Sequence, residues 1–277
     1  MGAMEEVNKV AKHNNEQEAL NHYDSNDYIT PDGYTSDIAV FTIISKKNNE
    51  KTKEPDNKEL KIMLIRRASY DSEGEPNIEA NKWALPGGFT DGMKRETAMQ
   101  AAERELEEET GIKGIFLKHF GVYDAFGRDK RGWIISNAHY AIVPEQKLIK
   151  RKAADDADDV RLFTIGEALH LELAFDHWKI ISDAVRLIER DLIETTIAKN
   201  FLPEAFTLSE LQRVLLTVSD NPRITSKSVF FAKVPKLPFV EKVYDREGNL
   251  KKTERNSFRP SQLYTFNDVD IVKSIWE

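Results

Sequence analysis

Four glutamates in five positions, Glu105, Glu107, Glu108 and Glu109, close a run of strong helix formers that follows a pair of glycines. The stretch 83–112 reads WALPGGFTDGMKRETAMQAAERELEEETGI. Its Ala, Glu, Met and Leu content predicts a helix from near Glu96 to Gly111, a residue suited to the left-handed position after a last turn. Met99, Ala102 and Leu106 recur at three- and four-residue intervals and define an inward face. Glu105, Glu108 and Glu109 fall at i, i+3 and i+4, so their carboxylates share one side. Like charges at that spacing cost an isolated helix a few tenths of a kcal/mol per pair, and the helix dipole disfavours anions at this end. Two readings compete. The acids form a solvated face, or they hold a hard divalent cation such as Mg²⁺ or Mn²⁺ that cancels the repulsion.

The order of residues favours the cation. Gly87-Gly88, then Glu96, then Arg104-Glu105-Leu106-x-Glu108-Glu109-x-Gly111-Ile112 resembles the signature of the Nudix hydrolases. One departure is the spacing, since seven residues separate Gly88 from Glu96 where the family usually has five. The resemblance implies that Glu105, Glu108 and Glu109 are Mg²⁺ (or Mn²⁺) ligands, joined by the Gly88 carbonyl. It implies that Arg104 orients those carboxylates by bidentate hydrogen bonds, with Glu96 assisting from the helix start. Metal ions bridging a diphosphate neutralise its charge and lower the pKa of a bound water. The general base is left open between a motif glutamate and an acid of the loop 154–159, where Asp155 and Asp156 also qualify for placing metal or water.

The flanking sequence supports a sheet. Ser36–Ser45 and Leu60–Arg67 are β-branched and apolar, as are Ile115–Tyr123 and Trp133–Val143, and all four read as strands. Between the last two lies Arg128-Asp129-Lys130-Arg131-Gly132. An R-D-x-R-G loop before a strand resembles the Nudix group acting on ADP-ribose and related compounds. Arg67, Arg128 and Arg131 are accordingly expected to contact phosphate or ribose beside Gly87 and Gly88; the plain alternative is three surface arginines. His170 and His177 read as structural.

From Leu173 the pattern changes. LAFDH opens one long helical stretch to Asn200, followed by FLPEAF and a capping box, Thr207 with Glu210, for a helix Leu208–Val218. A second short helix is expected over Thr225–Lys233, then a basic hairpin from Phe239 to Phe266. Helix, turn, helix and wing outline a winged helix-turn-helix. LAFDH, FLPEAFTLSELQ and RPSQLYTF together resemble the C-terminal domain of the Nudix-related transcriptional regulators of NAD metabolism. Between Asn221 and Pro260 stand ten Lys or Arg against four Asp or Glu, in a chain whose net charge is −7. Lys227, Lys233, Lys251, Lys252, Arg255 and Arg259 are the expected DNA contacts.

The expected fold class is therefore α+β, a Nudix α/β/α sandwich with a mixed sheet followed by a winged helix-turn-helix domain. Residues 1–33 read as an N-terminal extension, 34–192 as the Nudix domain and 193–277 as the winged helix. The chain of 277 residues has no cysteine, which excludes thiolate catalysis and disulfides, and no apolar run of membrane-spanning length. A cytoplasmic homodimer is the expectation. Two functions follow from the resemblance. One is Mg²⁺-dependent cleavage of ADP-ribose, or a related nucleoside diphosphate derivative, to AMP and a sugar phosphate. The alternative is a repressor that binds duplex DNA and senses ADP-ribose through its Nudix domain.

Overall fold

The computed structural model describes residues 15–45, 58–70, 73–152, 160–255 and 259–267. A short helix α1 (Glu16–Asn21), capped by the Asn15 side chain, precedes the sheet and buries none of its residues. The sheet then forms from β1 (Gly33–Ser45), β2 (Lys58–Arg66), β3 (Trp83–Ala84) and β4 (Gly87–Phe89). Helix α2 (Ala98–Thr110) separates these from β5 (Phe116–Tyr123) and β6 (Ile134–Ile142). Helix α3 (Glu145–Lys152), strand β7 (Val160–Thr164) and helix α4 (Ile165–His170) follow. The spine of the sheet is β3-β2-β1-β6-β5, with β4 paired to β1 and β7 to β2. Strand β1 runs parallel to β6 and antiparallel to β2, so the sheet is mixed, as the resemblance to the Nudix family implies.

Successive side chains of β1 point to opposite faces, and each face has its own helix. Ile38 and Val40 pack with Ala102, Leu106 and Ile112 around α2. Ala39, Phe41 and Ile43 pack with Ile180, Ile181, Ala184 and Ile188 of α5 (His177–Glu194). Both sets are almost fully buried, which places β1 at the centre of the sandwich. On α2 the inward residues are Ala101, Ala102, Leu106 and Thr110, whereas Met99 is 36% exposed. The three-residue step from Met99 thus points away from the sheet, and Ala101 replaces it.

The long helical pattern from Leu173 is shorter than its periodicity suggests. Leu173 to Asp176 is irregular, and α5 ends at Glu194, where the Thr195 N–H and hydroxyl both fold back onto the Asp191 carbonyl. A 3₁₀ turn, Ile197–Phe201, leads on to α6 (Leu208–Leu215) with its capping box, α7 (Pro222–Thr225) and α8 (Lys227–Lys233). The stretch expected as one helix from Thr225 is therefore two, broken at Ser226, whose ψ of 103° is non-helical. The wing is made of β8 (Val240–Lys242), β9 (Lys252–Thr253), β10 (Ser261–Gln262) and β11 (Tyr264–Phe266), with β8 on β11 and β9 on β10. Ile197, Phe201, Leu211, Phe230, Phe239 and Tyr264 belong to the same buried cluster as α5 and β1. Among the described residues no helix is long and apolar enough to cross a membrane.

Candidate functional site

Thr97 and Gln100 form the capping box of α2, and Gly111 ends it at φ 67°. Those two signals fix where the glutamates emerge. The loop between Gly88 and Glu96 absorbs its extra residues as a turn. Asp91 accepts from the Met93 and Lys94 N–H groups, and the Glu96 N–H closes on the Asp91 carbonyl at 3.1 Å. Glu96 is thereby returned to the helix, where both its oxygens accept from Arg104 at 2.9 Å.

Arg104 is the hub of this side. It also donates to Glu105 at 2.7 Å, to Glu108 at 3.0 Å and to the Phe89 carbonyl at 2.9 Å. The Glu96 and Glu105 hydrogen bonds hold its guanidinium above its ordinary value, and Arg104 in turn holds Glu96 below its own. Glu109 turns the other way, accepting from the Gly87 N–H at 2.8 Å. Burial pushes its carboxyl up to about 8, with the nearby charges of Glu105 and Asp37 adding to the Gly87-opposed shift. Burial raises Glu105 as well, despite Arg104. A Cβ on Gly88 would overlap the Glu105 carboxylate, so this close approach of side chain to loop backbone needs glycine.

Among the described residues no three His, Asp or Glu side chains converge on one point as they stand, because the Arg104 fork lies between Glu96, Glu105 and Glu108. The donor set nevertheless suits a hard cation: oxygens only, with the carboxyls of Glu105 and Glu109 partly withdrawn from water. Glu105, Glu108, Glu109 and the Gly88 carbonyl could hold Mg²⁺ or Mn²⁺. Such an ion would polarise a diphosphate and activate water. Asp155 and Asp156 lie outside the described residues.

The three arginines of the facing wall have different fates. Arg128 is turned inward, its side chain 4% exposed, with a bidentate bond to Asp176 and Asp37 at 3.6 Å. It is a strut between loop and helix, its Nε and Nη2 engaged by Asp176. Arg131 pairs with Asp129 and lies 4.9 Å from the Phe89 ring centre and 5.4 Å from that of Phe175. Arg67 bonds the Ile78 carbonyl and the Asn77 amide oxygen, 5.1 Å from the Phe175 ring centre. Burial, then the charge of Arg131, lowers its pKa.

Residues that spacing did not single out tie these walls together. Asp37, buried on β1, accepts from Ser136 at 2.5 Å. His177, read as an outer structural residue, is 3% exposed beneath the glycine loop. Its Nδ1 accepts the Leu85 N–H at 2.9 Å, and its Nε2 is 3.6 Å from Asp37. Burial keeps it neutral, as an acceptor must be. The LAFDH string was the one visible signal for this group. His170 bonds the Gly166 carbonyl at the end of α4, a local role as expected.

In the winged helix, Lys227 and Lys233 of α8 and Lys251 and Lys252 of the wing are exposed, as is Arg259. Arg255 differs. It grips both Glu210 oxygens, at 2.8 and 2.5 Å, and the Ala205 carbonyl at 2.7 Å. Its charge staples the wing to α6.

A mixed sheet between helices, with a glycine loop and an Arg-Glu-rich helix at one edge, is the architecture of one family. Residues 48–184 match the NUDIX domain model. An ADP-ribose pyrophosphatase of Methanocaldococcus jannaschii is 38% identical over 149 residues, 54% of this chain and 73% of that protein. The chain belongs to the Nudix family. Its C-terminal part, residues 198–266, matches the NrtR DNA-binding winged helix domain. Over nearly the whole length it is similar to the ADPR responsive transcriptional repressor NtrR of Acinetobacter baylyi, 27% identical over 254 residues, 91% of this chain and 88% of that one. It is also similar to the crystal structure of Shewanella oneidensis NrtR complexed with a 27mer DNA. That match has 26% identity and a TM-score of 0.62 over 84% of this chain and 93% of that one.

Proposed function

We propose that the chain is a cytoplasmic transcriptional regulator that binds duplex DNA as a homodimer through its winged helix and takes ADP-ribose as effector in its Nudix domain. The observation that carries this reading is the single apolar core running from β1 through α5 to Phe230 and Tyr264. The N-terminal end of α5 borders the Arg67–Arg131 wall, and its C-terminal end feeds the winged helix. A ligand that prefers one placement of α5 therefore biases DNA binding, and DNA biases the ligand by the same factor. Exposed Lys227, Lys233, Lys251 and Lys252 supply phosphate contacts, and the similarity to a repressor and to a DNA-bound protein supports the same reading. Selection of duplexes from a random library, followed by anisotropy titration at low salt with and without ADP-ribose, tests it. Binding that ADP-ribose shifts several-fold is expected; no duplex bound at low salt overturns it.

A second reading is favoured by one observation, the complete set of Glu105, Glu108 and Glu109 beside Arg104. It is Mg²⁺-dependent hydrolysis of ADP-ribose to AMP and ribose phosphate, compatible with regulation. Incubation with Mg²⁺ and ADP-ribose should release AMP, and Glu108→Gln should lower the rate by on the order of 10²-fold. Equal rates in the two proteins would remove the carboxylates from the chemistry.

A further inference from the structure

Phe175 stands at φ 51°, in the left-handed region that a bulky side chain avoids. Glycine would adopt this conformation without strain, so the ring is kept there against a backbone preference. Its neighbours are fastened on both sides. The Ala174 N–H donates to the Trp83 carbonyl at 2.9 Å, Asp176 is held by Arg128, and His177 by the Leu85 N–H. What this enforced turn achieves is the position of the ring, with the guanidinium carbons of Arg67 and Arg131 5.1 and 5.4 Å from its centre.

Those two cations are unequally compensated. Arg131 has Asp129, whereas Arg67 spends its hydrogen bonds on two neutral oxygens and, among the described residues, has no ion pair. It is half-buried and feels the repulsion of Arg131. Two guanidinium groups sharing one aromatic ring, one of them with no carboxylate in direct contact among the described residues, beside a loop whose Gly87 N–H meets Glu109, suit a ligand with closely spaced negative charges.

We infer that Phe175 is a positioning residue that holds Arg67 and Arg131 as a two-cation clamp for the diphosphate of the nucleotide ligand. This rests on the reading of ADP-ribose as the effector. The ring face attracts both cations and fixes their spacing, so the clamp is formed before the ligand arrives. An aliphatic side chain fills the space without attracting either cation, and tyrosine preserves the face.

Calorimetric titration of the full chain with ADP-ribose and with AMP tests the inference. Phe175→Leu should weaken ADP-ribose about tenfold or more and AMP, with its single phosphate, no more than about twofold, while Phe175→Tyr stays within about threefold of the wild type. Equal loss of both ligands, or no loss of ADP-ribose, overturns the clamp. Because Phe175→Leu alters a strained position, circular dichroism accompanies it. If it unfolds, Arg67→Gln takes its place, with the same selective loss expected and equal loss overturning the clamp. If the wild type binds no ADP-ribose, the effector reading fails on its own. Titration with inorganic pyrophosphate then decides the clamp, with about tenfold weakening in the variant supporting it and unchanged binding overturning it.

Discussion

His139 on β6 is 1% exposed, 5.2 Å from the His119 ring, and its Nδ1–H donates to the Asn137 carbonyl at 3.1 Å. Burial, then the charge of His119, depresses it to about 4. The unfolded chain takes up this proton near pH 6.5 and the folded one only near 4, so stability is complete above 6.5 and falls as the pH drops between the two. The expected loss is about 3 kcal/mol, and His139→Gln should flatten that part of a stability–pH curve measured by urea unfolding. The two loop glycines give a second contrast. A methyl on Gly88 meets the movable end of Glu105, whereas one on Gly87 meets the Ser36 carbonyl of β1. Gly88→Ala should leave stability within about 1 kcal/mol yet weaken Mg²⁺ binding; Gly87→Ala should cost about 3 kcal/mol in thermal or urea unfolding. Helical spacing brought Glu105, Glu108 and Glu109 to notice, and the resemblance to the Nudix signature added Arg104. Asp37, Phe175 and His177 were not legible, since their partners lie at Ser136, Arg67 and Leu85, far along the chain. Nor does sequence separate Arg128 from Arg131. Only the path of their loop, through Gly127 at φ 79°, decides which turns inward.

Among the elements, α2 was predicted closely because both its ends carry side-chain or glycine signals. Helix α5 was not, because its start is set by the pairing of Ala174 with Trp83 and its end by the Asp191 carbonyl. That end is secured to the sheet, since the buried Asp191 carboxylate accepts from Tyr140 at 2.7 Å and Lys118 at 2.5 Å. The wing divides its basic residues between two tasks, which charge reversal should separate. Lys251→Glu with Lys252→Glu should abolish most duplex binding and leave the melting temperature unchanged. Arg255→Glu sets one carboxylate against another at Glu210 and should lower the melting temperature by about 2–4 °C. Anisotropy and differential scanning fluorimetry on the same samples read both effects.

At the scale of the molecule, the positive surplus between Asn221 and Pro260 contrasts with a net charge of −7. Affinity for DNA should therefore fall steeply with salt, with a log–log slope of roughly −0.9 per phosphate neutralised, and a slope near zero would exclude these lysines as contacts. The apolar core has another consequence. Ile188 and Leu192 of α5 are packed in the same interior as Ile197, Phe201 and Leu211. Cutting the chain near Ile193 would bare that interior on both fragments, so neither should survive as an independent folding unit. Heating should give one calorimetric peak rather than two. Amide protons of α5 and α8 should exchange with deuterium through a shared opening event, and a protease should digest the two halves together.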